Sequence, residues 1–413
     1  MKRLNDKERL ALHRWAYHSE DHGILSPFMT NIWLLLAQLV PSWVTPCAIS
    51  TVGLFCNLVP SLLMLAYSCD AKQEVPPWLC VLAGVGLLLY QTMDALDGEQ
   101  CHRIDRDTPL ETLFDHGFDS VTTGLVFMNV CIVMKLGEMA DVMFLLAVLS
   151  AVVMYSYNWY AYVTGVFVFG RIDVTETQFG VMAVFFLTAL AGQDVWKSSL
   201  LKTAGYDIRY RELIVLAAMF LLACKLLSSM KTIYRHAESP VRKGNHIGID
   251  AITPVVPLLA VLTIFCLCFL WIPEISQRYL AWFSVCLNLV VARLVCSSII
   301  SHTVNTTMPL YFKCIPVLLV YLMIQLSDMV GSLEALVFLA VFSVGDYVKY
   351  FYYMSCDICD SLKIKCFNVQ PTYRKLSNAE DGVESVTAAK CLEITSKSVS
   401  EIDNLRDILT KWE

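Results

Sequence analysis

Long apolar segments recur along most of this chain, beginning at about residue 44 and ending at about residue 354. Each is roughly 20 residues long, the length that an α-helix needs to cross the hydrocarbon core of a bilayer. The pattern predicts ten membrane-spanning helices, of which the fifth is the weakest. The predicted spans are 44–68, 77–97, 112–134, 141–164, 178–195, 211–230, 251–272, 279–299, 313–330 and 333–354.

The segments that flank this region are more polar. Residues 1–43 mix Lys and Arg with Leu, Trp and Phe, a composition typical of a helix that lies in the membrane interface. The end of the chain predicts a short amphipathic helix, with a frayed tail as the alternative, because its apolar residues share one helical face. These residues are Ile402, Leu405, Ile408, Leu409 and Trp412. We therefore expect an interfacial segment at 1–43, a transmembrane domain at 44–354 and a cytosolic tail at 355–413.

Composition agrees with this organisation. Of the 413 residues, 56% are hydrophobic and only 16% are charged, and the mean hydropathy is +0.56. The net charge of −6 comes without a large basic patch, which argues against nucleic acid as a partner. The 16 cysteines are scattered through apolar segments and do not form a disulfide framework. The predicted fold class is an all-α polytopic membrane protein with about ten transmembrane helices and an N-terminal interfacial helix.

An even number of spans places both termini on the same side of the membrane. In this arrangement the loops on the N-terminal side carry more Lys and Arg than the opposite loops. Positive charge favours the cytosolic side. We therefore expect both termini, and the loop between the second and third helices, to be cytosolic.

The most unusual stretch lies at the junction of the second and third predicted spans. Asp94 and Asp97 are three residues apart, so they share one face of a helix. Asp115 and Asp119 are four residues apart, which again places them on one face. Ionisable groups at the membrane end of an apolar helix are costly and usually functional. Two such pairs facing each other form an oxygen cage that suits Mg²⁺ or Mn²⁺ rather than zinc.

Divalent ions in such a cage can clamp the phosphates of a soluble nucleotide and neutralise the charge that develops in an in-line displacement. Gly98 is expected to end the helix and let the backbone approach such a ligand. Arg103 and Arg106 add cations for phosphate, and His116 is suited to act as a general base. The alternative is a set of helix-end carboxylates that are merely solvated. Acidic residues gather at helix starts, whereas the first pair here ends a span, which favours the functional interpretation.

The spacing resembles the signature of the CDP-alcohol phosphotransferase family, D-x2-D-G-x2-A-R-x8-G-x3-D-x3-D. The chain keeps the four aspartates and the first glycine in register over 26 residues, a coincidence that chance rarely produces. The local sequences at 94–98 and 113–120 are similar to those of the eukaryotic choline/ethanolamine phosphotransferase branch. Further similar stretches lie at 43–46, 164–177 and 342–350, so that the resemblance covers roughly residues 10–367.

The resemblance implies a reaction, in which CDP-choline or CDP-ethanolamine gives its phospho-alcohol to the hydroxyl of a diacylglycerol or alkyl-acylglycerol and CMP is released. By family analogy two Mg²⁺ ions, or Mn²⁺, are held by Asp94, Asp97, Asp115 and Asp119. The catalytic residues implied are His116, as the base, and Asp119. The nucleotide cradle implied is Gly98, Cys101, His102, Arg103 and Glu111. The resemblance also implies an endoplasmic reticulum or Golgi membrane, and it allows a homodimer.

The chain departs from the family pattern in the cradle. Cys101 stands where the family has alanine, and His102 replaces an arginine, a loss of charge for which Arg103 can compensate. Glu111 replaces the second glycine. The sequence of residues 108–111 is typical of a capping box with proline at the first helical position. Glu111 is therefore expected to fold back onto its own helix start. If it points at the nucleotide instead, it repels phosphate or reshapes base recognition.

Two other functions stay open from the sequence. One is a family member that uses another alcohol, such as inositol, although the Asp-His-Gly-Phe-Asp sequence at 115–119 and the number of spans favour the choline/ethanolamine branch. The other is a transporter or scaffold whose carboxylates bind ions without chemistry. Internal repeats with broken helices would support a transporter, and none is apparent. The choice between choline and ethanolamine, and between diacyl and alkyl-acyl acceptors, is also open.

Overall fold

The computed structural model describes residues 3–203, 206–238, 248–327 and 330–369. Within them the chain is mainly helical, which confirms the predicted all-α fold class. The helices are α1 Asp6–Arg14, α2 Ser26–Ala37, α3 Pro46–Tyr67, α4 Pro77–Arg103, α5 Pro109–Val133, α6 Ala140–Thr164, α7 Val174–Ala191, α8 Tyr210–Glu238, α9 Ile249–Ile252, α10 Val255–Trp271, α11 Pro273–Arg278, α12 Leu280–Thr303, α13 Cys314–Leu326 and α14 Ser332–Leu362. The strands are β1 Ser19–Asp21, β2 Phe167–Phe169, β3 Ser199–Thr203 and β4 Tyr206–Arg209, and 3-10 turns lie at Leu136–Met139 and Gln193–Lys197.

Nine helical segments in the described part of the chain are long and apolar enough to cross a membrane. They are α3, α4, α5, α6 with the turn before it, α7, α8, α9 with α10, α12 and α14. The remaining predicted span, 313–330, corresponds to α13, which has 13 residues. At 1.5 Å per residue α13 is about 20 Å long, shorter than the hydrocarbon core. The prediction of ten spans is therefore corrected to nine for the described residues, and the argument from an even count no longer applies.

The acidic stretch lies on two helices and not in the loop between them. α4 continues through Gly98 to Arg103, so the expectation that Gly98 ends a helix is wrong. One glycine costs a helix only about 1 kcal/mol relative to alanine, and helix-forming residues follow it. α5 begins at Pro109, directly after Thr108, whose side chain accepts a hydrogen bond from the backbone N–H of Leu110 at 3.3 Å. Both acidic pairs are thus carried on rigid elements.

α12 is the buried centre of the bundle. In its apolar stretch 89% of the residues are buried, against 17% for α7 and 11% for α8. α12 packs against α5, α6 and α14. α5 and α12 pack tightly at Gly124, where an added Cβ would overlap the side chain of Asn288. That side chain donates to the carbonyl oxygens of Ser120 and Val121 at 3.1 and 3.3 Å. α5 is therefore held on the core, whereas α7 and α8 form outer walls.

The N-terminal segment forms two short helices and a strand, and not the single interfacial helix that was expected. α1 starts with a capping box and is joined to α14, because Asp357 accepts from the backbone N–H of Leu4 at 2.7 Å and lies 3.5 Å from Arg9. β1 pairs in parallel with β2, which follows α6. α2 exposes large apolar side chains, the pattern of a helix at the membrane interface. These include Phe28, Leu34 and Leu35.

The last described helix continues beyond the predicted boundary at 354. α14 ends at Leu362, and the chain that follows is attached to the loop before α5. The guanidinium of Arg106 donates to the carbonyl oxygens of Lys365 at 2.7 Å and Asn368 at 3.2 Å. The amphipathic helix predicted near the end of the tail lies outside the described residues.

Candidate active site

The two acidic pairs converge where α4 and α5 pack together with α3. One ligand atom from each of Asp94, Asp97 and Asp115 lies within 4.8 Å of the others. The same holds for Asp115, His116 and Asp119. Because Asp115 belongs to both groups, they form one continuous carboxylate cluster, as the helical spacing predicted.

The cluster concentrates negative charge at the junction of α4 and α5. Within the described ranges, only His116 comes within ion-pair distance of any of the four carboxylates. Asp97 is only 4% exposed and accepts a hydrogen bond from Ser50, and Asp119 accepts one from Tyr90. Hard oxygen ligands that lack a counter-charge suit Mg²⁺ or Mn²⁺. The donor set therefore fits divalent ions.

The α4 face beside the cluster is open at Gly98, where an added Cβ would meet no atom within 4 Å. Further along α4, Cys101 is partly buried and His102 is exposed. Arg103, which was expected to compensate for His102, instead donates to main-chain carbonyl groups in and after α2, including that of Val40 at 2.7 Å. The guanidinium of Arg103 thus ties α4 to α2.

Glu111 forms a buried ion pair with Arg106, in which Oε1 and Nε are 2.8 Å apart. The hydroxyl of Thr108 donates to the same carboxylate. Glu111 therefore folds back onto its own helix start as predicted, but it accepts a hydrogen bond from the side chain of Thr108 and not from the Thr108 backbone N–H that a capping box requires. Arg106, expected as a cation for phosphate, is occupied by Glu111 and by the carbonyl groups after α14. The expected repulsion between Glu111 and a nucleotide is reduced, because Arg106 neutralises the carboxylate.

His116 is 5% exposed and lies between two carboxylates on α5. Its Nε2 is 3.3 Å from the hydroxyl of Tyr17. The ring of Phe167 stacks on the imidazole with centroids 4.2 Å apart. Burial raises the pKa of Tyr17 well above its ordinary value, and the charge of Asp115 adds to the shift. The phenol therefore stays protonated at neutral pH.

Sequence reasoning missed four residues of this site. They are Tyr17, Ser50, Tyr90 and Phe167. Tyr90 precedes Asp94 by four residues, so helical spacing was a signal that could have found it. Tyr17 and Phe167 had no such signal, because they reach the site only through the pairing of β1 with β2.

A cavity of about 380 Å³ includes His116 and Asp119 in its lining. Its walls come from α5, α6, α7 and α8 and are mainly apolar. They include Phe127, Val130, Leu146, Val181, Ala218 and Leu222. Asp173 and Lys225, which also line it, form an ion pair at 2.5 Å. The carboxylate cluster is therefore contiguous with a space that suits an apolar ligand.

Comparison with known proteins gives several matches, although no protein-family model matches the chain. The chain is 36% identical over 189 residues to cholinephosphotransferase 1 of Gallus gallus, which is 46% of this chain and 56% of that protein. It is 37% identical over 188 residues to cholinephosphotransferase 1 of Homo sapiens, which is 46% of each. An uncharacterized CDP-alcohol phosphatidyltransferase class-I family protein of Dictyostelium discoideum is 22% identical over 374 residues, 89% of this chain and 88% of that protein. These matches support the assignment of the chain to the CDP-alcohol phosphotransferase family.

The matches agree with the resemblance that the aspartate spacing indicated, and the similar proteins named cholinephosphotransferase support the choline/ethanolamine branch. The chain spans about half the length of the curated cholinephosphotransferases that it matches. The nine apolar helices of the described residues make it an integral membrane protein. Its acidic cluster has the composition of a divalent-metal site.

Proposed function

We propose that this protein is a diradylglycerol choline/ethanolamine phosphotransferase. It transfers phosphocholine or phosphoethanolamine from the CDP-alcohol to the free hydroxyl of a diacylglycerol or alkyl-acylglycerol and releases CMP. One observation carries the proposal: His116 and Asp119 belong both to the carboxylate cluster and to the wall of the apolar cavity. A charged nucleotide and a lipid can therefore meet at these two residues.

In this proposal the four aspartates hold two Mg²⁺ ions, for which Mn²⁺ can substitute. When bound, these ions supply charge neutralisation on the pyrophosphate of the CDP-alcohol. Ser50 and Tyr90 donate to Asp97 and Asp119, and such outer hydrogen bonds orient metal ligands. The open face at Gly98, with Cys101 and His102 further along α4, is assigned to the nucleotide. Arg103 and Glu111 act on the cradle indirectly, through their contacts with α2 and Arg106.

His116 is the proposed general base. The acceptor hydroxyl, entering from the cavity, gives its proton to the imidazole while its oxygen forms a bond to the phosphorus that carries choline or ethanolamine. The bond from that phosphorus to the oxygen of CMP breaks, and CMP leaves with the electron pair. Phe167 covers the imidazole face and helps to keep water, a competing acceptor, away from it.

The acceptor lipid is assigned to the cavity between α5, α6, α7 and α8. Its apolar walls suit acyl or alkyl chains equally well, which is why both diacylglycerol and alkyl-acylglycerol are proposed. α7 and α8 are the most lipid-exposed spans, so a membrane lipid has a short route to the site. We assign the protein to the endoplasmic reticulum or Golgi membrane, with the carboxylate cluster facing the cytosol and its soluble CDP-alcohols. A homodimer is a further hypothesis, for which particle mass in detergent is the test.

The test is a transfer assay with purified full-length protein in detergent. Dioleoylglycerol and Mg²⁺ are supplied with labelled CDP-choline or CDP-ethanolamine in parallel, and labelled lipid is measured. We expect labelled phosphatidylcholine, phosphatidylethanolamine or both, and no product after chelation of divalent ions. Repeating the assay with an alkyl-acylglycerol distinguishes the two acceptor classes.

Asp97→Asn removes one proposed metal ligand and is expected to abolish Mg²⁺-dependent transfer. Asp141→Asn, at an exposed carboxylate near a membrane end of α6, is the matched control and should keep activity. Lipid product from neither CDP-alcohol would contradict the proposed function. Product from an inositol-containing reaction alone would move the protein to another branch of the family.

A further inference from the structure

The N-terminal segment contributes a side chain to the base at the centre of the site. The phenol ring of Tyr17 lies beside the stacked rings of Phe167 and His116, with centroid distances of 5.5 Å to Phe167 and 5.9 Å to His116. The Tyr17 hydroxyl is 3.3 Å from Nε2 of His116. This contact joins residues that are 99 positions apart in the chain.

Backbone hydrogen bonds fix this placement of Tyr17. The N–H of Phe167 donates to the carbonyl of His18 at 2.9 Å, and the β1–β2 ladder continues from there in parallel register. Leu25 extends the attachment by donating its N–H to the carboxylate of Glu176 at 2.8 Å. At the other end of the segment, α1 is held to α14 through Asp357. The segment is therefore anchored on both sides of Tyr17.

His116 has no comparable partner elsewhere in the described residues that would fix its imidazole. Its Nε2 is 3.8 Å from Asp115 and its Nδ1 is 3.9 Å from Asp119, distances too long for hydrogen bonds. Both carboxylates are also proposed ligands for the metal ions, which would engage their oxygens. A neutral imidazole carries its proton on one nitrogen, and the hydrogen bond of that nitrogen decides which one it is.

We infer that Tyr17 is a positioning residue, whose phenol oxygen accepts the Nε2–H of His116 and leaves Nδ1 unprotonated on the side of Asp119. The inference rests on the proposed function, in which His116 is the base. Nδ1 then takes the proton of the acceptor hydroxyl as the hydroxyl oxygen bonds to phosphorus and CMP departs. Since Asp119 and His116 both line the cavity, this places the lone pair where the lipid hydroxyl arrives.

The first test is Tyr17→Phe, which keeps the stacked ring and removes only the hydrogen-bonding oxygen. We expect kcat to fall about tenfold, since one hydrogen bond to the base is lost. The KM values for the CDP-alcohol and for diradylglycerol, and the melting temperature, should stay at the wild-type values. Tyr353→Phe, at a tyrosine that is 49% exposed, is the control and should change none of these quantities.

A double-mutant cycle separates positioning from general structural support. If Tyr17 acts through His116, Tyr17→Phe has no further effect on residual transfer in a His116→Ala background. Additive losses in the double variant, or an unchanged kcat in the single variant, would overturn the inference.

Nitrogen NMR of labelled histidine gives a readout that does not depend on turnover. The His116 signals are assigned among the eight histidines by their loss in His116→Gln. We expect the Nε2–H tautomer in the wild-type protein and a mixture of tautomers in Tyr17→Phe. If the wild-type protein makes no lipid, the proposed function fails while the spectrum still decides the role of Tyr17. A spectrum that is identical in both proteins contradicts the inference.

Discussion

At the position where the family pattern has its second glycine, Glu111 and Arg106 neutralise each other in a buried ion pair. The arginine also holds the chain after α14 through carbonyl oxygens. Removing one partner of a buried pair leaves the other charge without compensation, which costs about 3–5 kcal/mol. The carboxylate is thus a stabilising element of the cradle, in a place where the family pattern implies open space.

We therefore predict that Glu111→Gly lowers the melting temperature and does not simply enlarge the nucleotide site. The free energy of unfolding should fall by about 3 kcal/mol, because Arg106 loses its counter-ion. Thermal unfolding in detergent measures this change. Glu274→Gln, at an exposed carboxylate on α11, is the control. An unchanged melting temperature together with a large gain in CDP-alcohol affinity would show that Glu111 intrudes on the nucleotide.

At the scale of elements, the position of α5 depends on its close contact with α12. α5 carries Asp115, His116 and Asp119, and Asn288 of α12 donates to the carbonyl oxygens of the two residues that follow Asp119. Gly124 leaves the space that the Asn288 side chain occupies. The geometry of the site is therefore set in part by a helix contact that lies outside it.

Gly124→Ala is expected to displace Asn288 and destabilise the protein by about 1–3 kcal/mol, the cost of overpacking a tight contact. Transfer activity should decline at temperatures where the wild-type protein is still folded. Gly180→Ala on α7 is the matched control, because a Cβ there meets no atom within 4 Å and alanine favours a helix. Equal melting temperatures for Gly124→Ala and the wild type would contradict this account of the α5–α12 contact.

At the scale of the whole molecule, the proposed meeting of a soluble and a lipid substrate depends on the way that the bundle is built. The core helix α12 supports α5 and α6, while the lipid-exposed α7 and α8 close the outer side of the cavity. Asp119 of the carboxylate cluster and His116 are part of its lining. This division predicts that changes in the outer wall affect the acceptor lipid and leave the nucleotide unaffected.

Ala218→Trp places a large ring on the cavity wall and should raise the KM for diradylglycerol about tenfold, equivalent to roughly 1.4 kcal/mol of lost binding. The KM for the CDP-alcohol should not change. Ala217→Trp adds the same ring at the neighbouring exposed position of α8 and should behave as the wild type. A parallel rise in both KM values for Ala218→Trp would show that the cavity is not the acceptor site.

The local pattern of the sequence was enough for most of the long helices and for the acidic cluster of the candidate site. Apolar runs of spanning length predicted the long helices, because helices satisfy their own backbone hydrogen bonds in lipid. The spacing of Asp94 and Asp97, and of Asp115 and Asp119, predicted their shared faces, because the helical repeat is fixed. The same spacing indicated the family resemblance, which the comparisons support. The roles of the individual site residues remain predictions.

Only the tertiary structure decided the partners of Arg103, Arg106 and Glu111, since a long charged side chain can reach several neighbours from one backbone position. It also decided that Tyr17 and Phe167 meet at His116, through strand pairing between segments that are remote in sequence. The length of α13 was also known only from the structure, because the extent of an apolar segment does not determine where its helix ends. Local periodicity therefore determined which residues share a helical face, and long-range packing determined which of those faces meet.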